Sequence, residues 1–363
     1  MRPSPPTGWT PARGRGRRDP EERGRRPHFA PRAGRGARMN WLITGGCGFI
    51  GRGLIAALLE EGGHRIRVLD NLSVGTRAEL AAIAPVGAPA RAEDWSAPLT
   101  LIEGDIRDAG TARAACEGAE AVVHLAANTG VAPSVADPRA DCDANVIGTL
   151  NMLEGCRHAG VSRFVFASSG APLGVQTPPL HEEMAPHPAS PYGASKLAGE
   201  GYCSAWFHSF GVETVVLRFG NVYGEGSGHK SSVVAKFIRE ALAGRTLEIY
   251  GDGAQTRDFI HISDLLEAVR RAATLPGIGG ETFQIATAAE TTVTELTEAL
   301  LGAMEAEGLT RPEIGHGPAR QGDVARNYSD TARARARLGW TAQVPLEAGL
   351  RRTVRFVLDQ PRT

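Results

Sequence analysis

Trp41-Leu42-Ile43-Thr44-Gly45-Gly46-Cys47-Gly48-Phe49-Ile50-Gly51 decides how this chain is read. Its first four residues form an apolar run short enough for a buried strand. Three glycines follow at the spacing Gly45-x-x-Gly48-x-x-Gly51, and residues 54–59 then turn apolar at helical spacing. A strand, a glycine turn and a helix in that order bring bare backbone and a helix N-terminus up to a phosphate. The next strand, Arg65-Ile66-Arg67-Val68-Leu69-Asp70, ends in an acid 19 residues after Gly51. A carboxylate there accepts hydrogen bonds from a ribose diol and repels a 2′-phosphate. No arginine occurs in Asn71-Leu72-Ser73-Val74-Gly75, so the pattern predicts NAD rather than NADP.

Working outward, strands are expected at 99–103, 120–125, 163–168 and 212–218, with helices near 109–117, 139–158 and 193–209 between them. Residues 76–98, rich in Ala and Pro, break the rhythm and suit a helix plus a loop. Alternation of this kind predicts an α/β fold: a Rossmann-like, doubly wound parallel sheet covered on both faces. Beyond residue 220 the rhythm loosens, with helices expected near 231–243, 263–274, 293–306 and 345–358 and short strands near 247–250 and 282–285. These predict a smaller C-terminal α/β lobe for the substrate. The expected division is 39–220 for the dinucleotide domain and 221–363 mainly for the lobe, with the chain free to cross between them.

The 363 residues carry 40 basic and 40 acidic side chains, but the charge is uneven. Residues 1–38 hold eleven arginines against Asp19, Glu21 and Glu22, a net +8, which leaves −8 for the remainder. Rich in Pro, Gly and Arg without an apolar period, 1–38 is expected to be disordered. It is read as an upstream extension, because Met39 directly precedes the first strand; an RNA-contacting tail is the alternative. Nucleic acid is not expected as the main partner, and an acidic body needs local arginine to hold a diphosphate. No apolar run reaches membrane-spanning length. The five cysteines form no CxxC pair, so neither a metal nor a disulfide framework is expected, and a reducing cytoplasm fits.

Arginine supplies 37 of the 40 basic residues; the lysines are Lys196, Lys230 and Lys236. One of them closes Tyr192-Gly193-Ala194-Ser195-Lys196. Residues i and i+4 share a helix face, so phenol and ammonium point into one space, where the cation is expected to lower the phenol pKa and make Tyr192 a base. Ser169, ending the upstream run Ser168-Ser169, completes a Ser–Tyr–Lys catalytic set.

These motifs together resemble the extended short-chain dehydrogenase/reductase superfamily, over about residues 39–358. Within it they are closest to NAD-dependent nucleotide-sugar epimerases of the UDP-glucose 4-epimerase type. The resemblance implies a cofactor site of Gly45, Gly48, Phe49, Ile50, Gly51, Asp70, Asn71 and Gly75. Asp105 and Ile106 of Gly104-Asp105-Ile106-Arg107-Asp108 would meet the adenine, and Leu125, Ala126 and Ala127 would pass beneath the cofactor. Asn145 would buttress the site, and Tyr192 and Lys196 would touch the nicotinamide ribose. His124, in the same strand as Leu125, reads as a core histidine. The resemblance also implies substrate contacts. Asn221 and Arg257 would hold the diphosphate, with Arg320 on phosphate and Asp323 on ribose in Arg320-Gln321-Gly322-Asp323.

The resemblance implies that Tyr192 takes the proton of a sugar 4-hydroxyl while C4 passes a hydride to NAD+. The 4-keto sugar turns and the hydride returns to its other face. Sugar 4,6-dehydratases carry Asp-Glu after the catalytic hydroxyl; this chain has Gly170 and Ala171. The resemblance also implies that bulk at Asn327 would limit a C2 N-acetyl group, and asparagine there leaves both hexoses and N-acetylhexosamines open. A 4-ketoreductase, a uronate epimerase and a non-catalytic nucleotide- or RNA-binding relative are the alternatives. A homodimer through helices 139–158 and 193–209 is also implied.

Overall fold

Strand β1 (Asn40–Thr44) is buried along its whole apolar run and has a parallel neighbour on each side, which places it mid-sheet. The computed structural model describes residues 38–228, 232–319 and 324–360. The extension read in 1–38 therefore lies, apart from Arg38, outside the described residues, as do Arg320 and Asp323.

In chain order the strands are β1, β2 (Arg65–Asp70), β3 (Leu99–Glu103), β4 (Ala121–His124), β5 (Arg163–Ser169), β6 (Glu213–Phe219) and β7 (Asn221–Tyr223). They continue with β8 (Leu247–Tyr250), β9 (Thr256–Arg257), β10 (Phe259–His261), β11 (Thr282–Ile285), β12 (Thr291–Thr292) and β13 (Ile314–Gly317). The helices are α1 (Phe49–Glu61), α2 (Arg77–Ala81), α3 (Ala109–Cys116), α4 (Val131–Ala136), α5 (Pro138–Cys142), α6 (Gly148–Ala159) and α7 (Pro191–Phe210). After them come α8 (Val233–Leu242), α9 (Ile262–Thr274), α10 (Val293–Ala306) and α11 (Leu346–Leu358).

Seven strands form the main sheet in the order β11-β6-β5-β4-β1-β2-β3, every pairing parallel. Helices α1 and α9 cover one face through Leu54, Ile55, Leu58, Leu265 and Val269. Helices α3, α6 and α7 cover the other through Ala112, Met152, Leu153 and Cys203. The order reverses between β1 and β4. In an open α/β sheet that switch point opens a crevice at the carboxyl ends of the strands, where ligands bind. The loops leaving β1 and β4 are the glycine loop and Leu125-Ala126-Ala127.

The smaller lobe has its own core of Phe237, Ile249, Phe259, Leu300 and Leu350, among others. Two elements expected in it belong elsewhere. Strand β11 pairs with β6 from Thr282↔Val216 to Ile285↔Phe219, as an edge of the main sheet, and α9 packs against α1. The chain thus crosses back after residue 220, and a cut there divides the sheet. The helix expected over 139–158 is interrupted by a π-helical turn, Asp143–Ile147, between α5 and α6. In 76–98, α2 opens with a Thr76/Glu79 capping box. The rest of that segment is anchored by Arg67, whose guanidinium is buried, lies 4.0 Å over the Trp95 ring and donates to the carbonyl of Asp94.

Candidate active site

The glycine loop is shaped for a ligand that approaches backbone. Gly45 has φ +67°, and a Cβ there would lie 2.8 Å from Ala126 N. Gly45 N donates to Leu69 O at 2.9 Å, and Gly48 N turns back onto Gly45 O at 3.1 Å. Helix α1 begins at Phe49 with no side chain capping it at Gly48, and Ile50 and Gly51 complete its first turn. Its positive end is therefore left without a side-chain cap or an acid in its first turn. Gly75 has a packing role: a Cβ there would come 1.9 Å from Cys47 O, so the loop after β2 lies directly on the glycine loop.

Asp70 stands at the end of β2, 8% exposed. Its Oδ2 accepts from Cys47 N at 2.9 Å and its Oδ1 from Leu72 N at 2.8 Å. A carboxylate oxygen has a further lone pair, so the fixed group can still receive a diol. Asn71 Nδ2 donates to Asp105 Oδ2 at 3.0 Å, and Arg107 grips the same carboxylate through Nε at 3.0 Å. That bond, foremost, holds the Asp105 carboxyl far below the usual carboxylate range. Ile106 is buried against Gly148, where a Cβ would come 2.5 Å from Ile106 Cδ1. This bare cradle, open helix end and anchored acid fit NAD.

Beneath the crevice, Ala126 N donates to Thr44 Oγ1 at 3.1 Å. Thr44 Oγ1 lies 2.7 Å from His124 Nδ1, and His124 Nε2 lies 3.1 Å from Thr149 Oγ1. Burial pushes His124 down to about 3, so it is a neutral core histidine. Asn145, in the π-helical turn, accepts from Asn128 N at 2.8 Å and donates to Asn128 O at 2.9 Å, Asp141 Oδ1 at 2.9 Å and Ser195 Oγ at 3.1 Å. It ties the loop after β4 to helix α7.

Helix α7 starts with Pro191 in its first turn and is capped by Ser190, whose hydroxyl accepts from Gly193 N at 3.1 Å. Tyr192 and Lys196 follow one turn apart. Lys196 is buried, donates to Ala167 O on β5 at 2.9 Å, and has Nζ 5.9 Å from the Tyr192 ring centre. Burial pushes the ammonium down to about 8, and Asp141 is the foremost group acting against it. Burial also pushes the Tyr192 phenol above its ordinary value, while its hydrogen bond with Ser169 acts to lower it. The expected lowering by the lysine is not what sets this phenol: burial raises it first, with the Ser169 hydrogen bond acting against burial and Asp141 adding to it. Ser169 ends β5 beside them, and its Oγ accepts from Ala171 N at 3.2 Å.

Two acids escaped the sequence reading. Glu200, one turn beyond Lys196, accepts from Ser168 Oγ at 2.5 Å and from Arg218 Nε at 2.9 Å and Nη2 at 2.7 Å, locking α7 to β5 and β6. Asp141 lies beneath Asn145, 1% exposed. Each stands four residues from a motif residue, the spacing of one helix face, and that was the available signal.

On the substrate side, Asn221 and Arg257 line one cavity of about 250 Å³, together with Lys236, Tyr250, Gln255 and Phe259. Asn221 N donates to Asp258 O at 2.8 Å, and Arg257 Nη1 donates to Val324 O at 2.6 Å. Strand β13 pairs Gly317 with Tyr250. The residues flanking Arg320 and Asp323 are thus bonded to residues of that cavity. Lys236, unassigned by sequence, sits 4.8 Å over the Tyr250 ring. The described residues contain no group of three His, Cys, Asp or Glu that could hold a metal, and all five cysteines are free. No described helix is long and apolar enough to cross a membrane.

Sheet order, glycine loop and Ser–Tyr–Lys cluster together define a dinucleotide-dependent enzyme of the short-chain dehydrogenase/reductase type. The chain belongs to the NAD dependent epimerase/dehydratase family, whose pattern matches residues 41–286. It is 39% identical to a UDP-glucose 4-epimerase of Mycolicibacterium smegmatis over 88% of this chain and 98% of that protein. It is 33% identical to a dTDP-glucose 4,6-dehydratase of the same organism, over 87% of this chain and 92% of that one. Among solved structures, the UDP-glucose 4-epimerase of Thermotoga maritima with UDP-glucose is similar at TM-score 0.78 and 34% identity, covering 88% of this chain and 99% of the other.

Proposed function

We propose that this chain interconverts the C4 epimers of a UDP-hexose, UDP-glucose and UDP-galactose or their N-acetyl forms, with NAD retained at the glycine loop. One observation carries the reading: Ser169, Tyr192 and Lys196 gather at the carboxyl end of β5 beside the switch point, and Gly170-Ala171 follow Ser169. Bound NAD supplies the hydride acceptor and donor for C4. It would lie on Gly45, Gly48, Phe49, Ile50 and Gly51, with its ribose on Asp70, Asn71 beside it and its adenine near Asp105 and Ile106. Leu125, Ala126, Ala127 and Asn145 form the floor.

Tyr192 takes the proton of the sugar 4-hydroxyl and later returns it. Ser169 shares the O4 hydrogen bond and keeps it aligned while the proton moves. Lys196 supplies the positive charge beside the phenolate that Tyr192 must carry to accept the proton. Asn221, Arg257 and Arg320 hold the diphosphate as the 4-keto sugar turns, and Asp323 holds the nucleoside ribose. Removal of water across C5–C6 needs an acid and a base next to the catalytic hydroxyl, which Gly170 and Ala171 cannot supply; this separates the reading from the dehydratase relative. Gly170 has φ −68° and ψ −15°, and a Cβ there would meet nothing within 4 Å. Neither backbone nor packing demands glycine at that position, which leaves room beside Ser169.

The active form we propose is a homodimer through α6 and α7. Phe210 is exposed and stacks edge-on with Trp206 at 5.0 Å, an aromatic edge suited to a second copy. Five free cysteines suit a reducing cytoplasm. The test is incubation of purified protein, without added NAD, with UDP-glucose, UDP-galactose, their N-acetyl forms and UDP-glucuronate, with the epimers then separated. Interconversion of a hexose pair is expected. Turnover of uronate alone would move the reading to a uronate epimerase, and no interconversion would refute it.

A further inference from the structure

Asp141 is a titratable group that the mechanism above does not use. It sits on α5, 1% exposed, with Oδ1 bonded to Asn145 Nδ2 and Oδ2 buried without a hydrogen-bond partner. A carboxylate taken out of water is strongly unfavourable unless a positive charge compensates it. Helix α5 packs against α7, and from α7 two titratable groups face it, Tyr192 and Lys196. On its own side, Asp137 caps α5 through Ala140 N, while Arg139 and Cys142 are exposed and Asp143 is half-buried.

Lys196 has other neighbours, and each is already engaged or neutral. Glu200 is bonded to Arg218 and Ser168. Cys203 keeps its thiol proton, its pKa pushed far up by burial. His124, on the neighbouring strand β4, is neutral, and Phe166 and Ala167 O offer only a ring and a carbonyl. Lys196 in turn donates one of its three N–H groups to Ala167 O, so a buried ammonium stands on the helix that packs against the buried, half-partnered carboxylate.

We propose that Asp141 is the buried counter-charge of Lys196 and, through Asn145 and Ser195, a positioning residue for the Tyr192 turn of α7. The hydrogen-bond path is continuous. Asn145 Nδ2 bonds both Asp141 Oδ1 and Ser195 Oγ, and Ser195 Oγ donates to Tyr192 O at 3.1 Å. The charge acts on both members of the pair in the same sense. It keeps Lys196 protonated against a burial that pushes it down to about 8, and it disfavours the Tyr192 phenolate. Neutralising it therefore moves both titrations toward acid. This builds on the reading of Tyr192 and Lys196 as the catalytic pair, but its primary test needs no substrate.

The chain has three lysines, so protein carrying 13C at lysine Cε gives three signals. Lys230→Arg and Lys236→Arg variants assign Lys196 by elimination. In Asp141→Asn the Lys196 signal should titrate lower than in the parent protein by about one pH unit or more. The alkaline limb of kcat should move down with it, and the acid limb as well. A folded Asp141→Asn whose Lys196 signal titrates where the parent's does overturns the proposal. If Asp141→Asn does not fold, melting of Lys196→Met is compared with that of Lys196→Met/Asp141→Asn. Relief of a lone buried anion should make the double variant melt higher; a double variant melting no higher overturns the proposal. Absent turnover of every sugar, with the Lys196 signal shifting as expected, would instead count against the epimerase reading alone.

Discussion

Glu200→Gln tests the idea that the geometry of the proposed Tyr192–Lys196 pair depends on a buried charge pair one turn further along α7. Glu200 and Arg218 have side chains 8% and 6% exposed and share two hydrogen bonds, with Ser168 as a third partner of the carboxylate. The amide removes the charge and leaves the Arg218 guanidinium buried without compensation, its Nη1 already lacking a partner. Breaking one side of a buried pair costs about 3–5 kcal/mol. At about 2–4 °C per kcal/mol for a large domain, the melting temperature should fall by roughly 6–20 °C. Lys196 is one turn away on the same helix, so kcat should fall more than substrate affinity. Glu200→Leu/Arg218→Leu, which removes both charges, should regain most of the stability, and denaturant unfolding of Glu200→Leu, Arg218→Leu and the double gives the coupling. A loss below about 1 kcal/mol in the single variant, or a double variant equal to the sum of the singles, would refute the reasoning.

Other outcomes follow from the same geometry. If Asp70 receives the adenosine ribose as proposed, its carboxylate repels a 2′-phosphate and NAD should bind at least about tenfold more tightly than NADP; side-by-side titration checks this, and tighter NADP binding would contradict it. Tyr192→Phe should lower kcat by roughly a hundred- to ten-thousandfold with substrate affinity near that of the parent, read by steady-state kinetics and calorimetry. His124 is held neutral in the fold, pushed down to about 3, whereas the unfolded chain takes up that proton below about 6.5. Stability should therefore fall as pH drops from 6.5 toward 3. Between pH 7 and pH 4.5 the His124 contribution lost is about 3 kcal/mol, and unfolding of His124→Gln at both pH values should lack that part of the slope.

The centre of the fold was legible because buried parallel strands read as short apolar runs and the glycine spacing marks the turn between β1 and α1. Strand β11 was read correctly as a strand but assigned to the lobe, since nothing in Thr282–Ile285 states which sheet edge it joins. Strands β7, β9, β10 and β12 have two or three residues each, too few to display a period. The Ser169, Tyr192 and Lys196 set was visible as a pattern, but its electrostatics were not. Asp141 and Glu200 look like surface acids on helices, and burial, which sets Tyr192 and Lys196, is a property of packing. Arginines such as Arg67, Arg163 and Arg218 were hidden in a chain with 37 of them; all three are buried in strands of the main sheet.

The most direct test of the central claim follows the hydrogen at C4. UDP-galactose carrying deuterium at C4, incubated with the protein in ordinary water, should give UDP-glucose with the deuterium still on C4, because it leaves and returns as a hydride without meeting solvent. Product in which C4 carries solvent hydrogen, or no product at all, would contradict the account.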